Sequence, residues 1–192
     1  MLIRFKIALL YIFSRVEFIK IISLSSFFGS DYAVKSLSTC RKDNIEKILK
    51  HYGARIGKNN HFKGGLIIDN AQFRKRELFI NLSIGNNCYI GTNVYLDLAN
   101  QIEIEDSVVI GAKATIVTHS DVGNRAMQKY FSRVSKRVLL QESCWIGVNA
   151  TLLAGVTVGK FSVVGASSLV TKSINKRELV FGVPAKKQRE IG

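Results

Sequence analysis

His119 stands in the stretch ATIVTHSD, residues 114–121, and is one of 3 histidines in a chain of 192 residues. Imidazole suits proton transfer near neutral pH because its unperturbed pKa lies near 6.5. Beside a groove it is a candidate general base; the competing reading is an ordinary corner histidine. His51 and His61 lie outside the patterned part of the chain and are read as structural. The 3 cysteines, Cys40, Cys88 and Cys144, show neither CxxC spacing nor a His/Cys cluster suited to zinc, so no metal is expected.

What must position His119 is a repeat. Aliphatic residues recur every six positions in three phased blocks: Ile84, Ile90, Leu96; Ile104, Ile110, Ile116; and Leu140, Ile146, Leu152, Val158, Val164, Val170. Four residues after each anchor stands a small or β-branched side chain in most cases, from Cys88, Val94 and Val108 through Ser120 and Cys144 to Ser168, with Asn100 and Ile174 as exceptions. A period of six fits neither a helix at 3.6 nor a lone strand at 2. It fits three short strands per turn of a prism, stacked at the ~4.8 Å strand spacing, with inward aliphatics and tight corners. Glycine follows the anchor at Gly85, Gly91, Gly111, Gly147, Gly159 and Gly165, and the corners are expected to need glycine or asparagine, often at positive φ, as GNN at 85–87 and GTN at 91–93 supply. The expected fold is therefore all-β, a parallel β-helix. A β-sandwich gives no reason for phase to persist from Leu140 to Val170.

Phase also survives from Ile116 to Leu140, although the pattern inside that gap fails and DVGNRAMQKYFSRVSKR carries five basic residues. An extruded loop over about 121–137 explains this, with His119 at its exit. Upstream, Ile56 and Gly57 open an irregular coil, and RKDNIEKILK reads as a short helix with Ile45, Ile48 and Leu49 on one side. The chain thus divides into a helical, apolar and basic segment at 1–50, the coil at 51–175 and a tail at 176–192.

The formal charge of +14 suggests anionic partners. Scattered cations without an interleaved aromatic stripe argue against nucleic acid. The N-terminal uncharged runs, 7–14 and 21–30, fall short of the ~18–20 residues a span needs. Arg15, Glu17 and Lys20 in the middle, with no small-residue cleavage site, argue against a signal peptide. Two readings stand for this segment: a basic helix lying on an anionic membrane surface, or a helix packed on its own protein or a neighbouring subunit.

The segments IGNNCYIGTNVYL, VVIGAKATIVTHSD, CWIGVNATLLAGVTVGKFSVVGASSLVTKSI and VFGVPAKK together resemble the hexapeptide-repeat acyltransferases, within them the sugar and polysaccharide O-acetyltransferases. The resemblance spans about residues 50–192. It implies a left-handed coil, contrary to the usual crossover preference, a homotrimer with sites between subunits, and acetyl-CoA as co-substrate. The implied function is acetyl transfer to a sugar hydroxyl of a cell-surface polysaccharide or its precursor, such as capsule, O-antigen or exopolysaccharide. That places the chain in the cytoplasm, near the inner membrane face.

Such a transfer needs a base for the hydroxyl proton, and His119 matches the family's catalytic histidine. Asp97, one coil below, matches the aspartate similar enzymes keep near that histidine or the acceptor; Asp121 is the second candidate. Gly147 is the expected backbone donor to the oxyanion. The resemblance assigns the CoA arm and phosphates to Ala166, Thr171, Lys172, Lys186, Lys187 and Arg189, and sets Trp145 at the cleft or against a neighbour. For Lys186 and Lys187 a solvated basic tail is the competing reading, for Trp145 packing at a corner.

Other readings of the same coil differ in testable ways. A γ-class carbonic anhydrase needs three histidines around zinc, and only His119 lies in these coils. A serine acetyltransferase has a longer helical N-terminal domain. A xenobiotic acetyltransferase would differ chiefly in acceptor. A non-catalytic scaffold would neither hydrolyse acetyl-CoA nor be stabilised by CoA.

Overall fold

The computed structural model describes residues 2–72 and 77–192. All 12 aliphatic anchors point into one core, none more than 3% exposed. They build a left-handed parallel β-helix with three faces, A, B and C. Face A stacks Arg55–Ile56, Leu82–Ile84, Ile102–Ile104, Val138–Leu140 and Thr157–Val158 in parallel. Face C stacks Ile67–Asp69, Tyr95–Asp97, Thr115–Ile116, Thr151–Leu152 and Leu169–Val170. Face B runs from His61–Phe62 through Tyr89–Ile90, Val109–Ile110 and Trp145–Ile146 to Val163–Val164. The expected tail completes face B: Glu178–Gly182 adds in parallel, and Ala185–Glu190 folds back antiparallel on it.

Strands this short hold because each backbone group pairs with the coil above or below. The N–H of Tyr95 donates to the Ala114 carbonyl at 2.9 Å, and that of Gly111 to Ile146 at 2.8 Å. The opening coil is regular, not irregular as expected, since Ile56, Phe62 and Ile68 keep the six-residue spacing in register with Ile84, Ile90 and Leu96.

At the corners asparagine takes the positive φ as expected, at Asn87 (57°) and Asn93 (56°), whereas the glycines have another role. Gly111 and Gly147 do not supply the positive φ, which falls two residues later on Lys113 (59°) and Asn149 (58°). A Cβ at Gly111 would lie 2.6 Å from the Val148 nitrogen, and one at Gly147 2.6 Å from that of Ala166. Glycine is required by close approach of successive coils; the left-handed turn itself goes mostly to Asn, which tolerates it, and to Ser.

The N-terminal segment forms three helices, α1 (Leu2–Phe28), α2 (Ser30–Ser36) and α3 (Lys42–His51). Ile45, Ile48 and Leu49 of α3 are buried as the spacing predicts. Asn44, also buried, clamps α1: its amide donates to the Ser14 carbonyl at 2.8 Å and to Glu17 Oε2 at 2.7 Å, and its oxygen accepts from Ser14 Oγ. Among the described residues no helix is long and apolar enough to cross a membrane.

Candidate active site

The hexad rule breaks after two of the face C strands, those carrying Leu96 and Ile116, where the chain turns toward face A; after Leu152 and Val170 it holds, with Val156 and Ile174 buried. Ser120, expected inward, is exposed; Thr118 is buried in its place, as is Leu98 one coil below instead of Asn100. Strand alternation continues two residues past Ile116, turning Thr118 inward and releasing Ser120 into the loop. The loop's feet are joined by an antiparallel pair, His119–Ser120 with Val134–Ser135, so the extrusion is narrower than 121–137. Its outer part holds a single 3-10 turn, Ala126–Lys129.

Asp97 fills the gap left in the ladder. It is a carboxylate only 1% exposed, set under the broken corner. Its Oδ2 accepts from the backbone N–H of Thr118 at 2.8 Å and of His119 at 3.0 Å. Its Oδ1 accepts from the Ala99 N–H at 3.1 Å and the Asn70 amide at 2.8 Å. Burial pushes this carboxyl up. Hydrogen bonds from His119, from the Ala99 and Thr118 N–H groups and from Asn70 outweigh it and hold the pKa at about 2.

Asp97 Oδ2 also lies 2.6 Å from His119 Nδ1. An ionised carboxylate can only accept, so Nδ1 carries the proton, and in the neutral imidazole Nε2 then keeps its lone pair. Among the described residues no protein group occupies Nε2. The His119 side chain is 27% exposed and lines a cleft of about 580 Å³ together with Val117, Ser120, Asp121, Val134, Leu153, Ala154 and Thr171. The arrangement is a fixed imidazole presenting a proton acceptor to a half-apolar cleft.

Asp121, the second candidate partner, lines the cleft but does not meet the imidazole. Its Oδ1 accepts from the Gly123 N–H at 2.7 Å, and its Oδ2 lies 3.8 Å from Arg133 Nε. Gly147 does not fit the oxyanion role, because its N–H donates to the Val164 carbonyl at 2.8 Å within the ladder. Of the residues expected at the donor, Thr171 lines the cleft and Lys172 follows it, exposed. Trp145 stands on face B and Gly147 and Ala166 at the corner from B to C, a different edge of the prism from His119. Lys186, Lys187 and Arg189 ride the returning strand at the end of face B. There Lys187 pairs with Glu178 at 3.1 Å and Glu190 at 3.0 Å.

Burial pushes the Cys144 thiol up to about 12, which suits its packing role. Sequence reasoning missed Thr118, Asn70, Leu153 and Ala154. Asn70 was findable: it follows Asp69, whose register partner one coil up is Asp97. Leu153 and Ala154 carried no signal apart from following an anchor.

Comparison with known proteins follows the same stretch of chain. A family model described as the hexapeptide repeat of succinyl-transferase matches residues 81–98 and 142–172. A galactoside O-acetyltransferase of Lactococcus lactis is 34% identical over 113 residues, 56% of this chain and 55% of the relative, so the match spans about half that protein's length. A putative colanic acid biosynthesis acetyltransferase, WcaF of Escherichia coli, is 30% identical over 143 residues, 74% of this chain and 72% of the relative. The crystal structure of a hexapeptide-repeat acetyltransferase from Vibrio cholerae complexed with acetyl-CoA superposes with a TM-score of 0.70 at 23% identity, over 83% of this chain and 84% of that one. With the coil, the broken corner and these likenesses together, the chain belongs to the hexapeptide-repeat acetyltransferases.

Proposed function

We propose that the protein is an acetyl-CoA-dependent O-acetyltransferase acting on a sugar hydroxyl, with His119 as general base. The observation that carries this is the pairing of Asp97 with His119 Nδ1 at 2.6 Å, which leaves Nε2 as a proton acceptor at the cleft. An acceptor hydroxyl gives its proton to Nε2 as its oxygen forms a bond to the thioester carbon. The carbon–sulfur bond then breaks, and the imidazolium returns the proton to the thiolate leaving group. Leu153, Ala154 and Thr171 offer an apolar wall along which the acyl thioester arm can lie. Thr171 and Lys172 are the donor residues of this edge.

The remaining donor residues, Trp145, Ala166, Lys186, Lys187 and Arg189, need a second copy to reach His119, which supports a homotrimer with clefts between subunits. An outward apolar ladder on face B agrees: Tyr89, Val109 and Trp145 are consecutive rungs, and Trp145 is 54% exposed. The likeness to the WcaF protein, named for colanic acid biosynthesis, supports a polysaccharide or its precursor as acceptor. Such acceptors are assembled at the inner membrane face, so the chain belongs in the cytoplasm beside it.

The test is acetyl transfer from labelled acetyl-CoA to a panel of sugars, with His119→Ala beside the parent. Transfer is expected to fall about 10²- to 10⁴-fold with the assembly unchanged by light scattering. Undiminished transfer in the variant removes His119 from the mechanism.

A further inference from the structure

We infer that α1 docks the protein onto an anionic lipid surface through an apolar stripe rimmed by cations. Spacing by three and four residues puts Leu9, Ile12, Phe13, Val16 and Ile19 on one side of the helix. All five are exposed, Ile12 at 56% and Val16 at 58%. The opposite side carries the packing, where Ser14 and Ser25 are buried with Ile21 and the Asn44 clamp holds Ser14 and Glu17. The stripe is thus turned away from the rest of the chain.

Charge selects the occupant. Lys6 and Arg15 border the stripe on its two sides, and Lys20 lies in line with it just past Ile19; all three are exposed. Glu17, the only acidic residue of α1, faces inward, its Oε2 accepting from the Asn44 amide and from the Arg41 N–H at 3.1 Å. An apolar stripe with a cation on each side, a third at its end and no exposed acid beside it matches a helix lying in a lipid interface with its cations at anionic headgroups. A second copy of α1 fits poorly, because pairing two such stripes would set cations beside cations along the seam, where like charges repel. Phe27, 82% exposed, extends the apolar surface to the end of the helix.

The inference names the partner behind the membrane placement proposed above and rests on that reading for its use, but its test does not depend on catalysis. The full chain is sedimented with vesicles of phosphatidylcholine alone and of phosphatidylcholine with phosphatidylglycerol. Binding is expected to the anionic vesicles only, and to weaken as salt is raised. Ile12→Glu and Val16→Glu, both at exposed positions, should each weaken it about tenfold to a hundredfold. Arg15→Gln and Lys20→Gln should each weaken it about fivefold. His119→Ala should bind vesicles as the parent does, so a failed mechanism and a failed docking surface are told apart. No binding to anionic vesicles overturns the proposal, as does binding indifferent to Ile12→Glu and Val16→Glu. A smaller assembly for those variants by light scattering overturns it too, since the stripe would then belong to a subunit interface.

Discussion

Two corners of one coil start alike and end differently. Where face B turns into face C, Ile110 is followed by Gly111, whose N–H donates to Ile146, and the turn closes on Lys113 at φ 59°. Where face C turns toward face A, Ile116 is followed by Val117, whose N–H donates to Leu152, and then by Thr118 and His119, whose N–H groups donate to the buried Asp97 carboxylate. The first corner spends its backbone on stacking and has nothing left to offer a ligand. The second gives up two rungs of the ladder, and because buried N–H groups must still find acceptors, a carboxylate takes the place of the missing carbonyls. That carboxylate is then in position to hold an imidazole. A site is built here by interrupting the repeat.

Asp97→Asn breaks the comparison most directly. The asparagine keeps the shape, but its amide can donate to Nδ1, and the tautomer that leaves Nε2 open is no longer enforced. Transfer is expected to fall about 10²- to 10⁴-fold, read as kcat at saturating acetyl-CoA; an unchanged kcat would reduce Asp97 to a structural role. Gly111→Ala probes the regular corner. Its Cβ would stand 2.6 Å from the Val148 nitrogen, a clash worth about 1–3 kcal/mol, so thermal unfolding should drop by roughly 2–10 °C. Activity per folded molecule should be untouched, and a selective loss of activity would show that the two corners are coupled.

Acid separates the corners again. The folded pKa of Asp97 is about 2, below the 3.8 of an unperturbed carboxyl. Its contribution, about 2 kcal/mol, is present above pH ~4 and lost as pH falls toward ~2. Urea midpoints measured down that range should decline less steeply in Asp97→Asn than in the parent. The smallest effect is expected at Lys113→Asn: asparagine tolerates the left-handed φ of 59° better, so stability should rise by less than about 1 kcal/mol. A loss there would mean that the Lys113 side chain contributes more than its backbone costs.

The coil was legible because a buried prism repeats one local demand, an aliphatic inward every sixth residue, and the residues print that demand from Ile84 to Val170. The extruded loop was legible by the same logic, as a lapse in phase. The corners were legible in part: the asparagines of GNN and GTN do take the positive φ, at Asn87 and Asn93, but spacing reveals where a glycine stands and not that a neighbouring coil requires it. Gly147 was misjudged for a similar reason: its N–H is consumed by Val164, a residue of the next coil. The hexad also miscounted Ser120, since it carries no term for a strand running two residues past its anchor.

By itself, then, the sequence determined the inward and outward sides of the coil, the place where the coil opens and the histidine at that opening, all properties of local spacing. Only the tertiary structure decided that Asp97, and not the nearer Asp121, holds His119. It alone placed Trp145 and Ala166 on another edge of the prism from the imidazole, and turned the apolar side of α1 outward. The physical reason is that contacts between coils depend on register and on where inserted loops leave and return, and neither is written in the residues that make the contact.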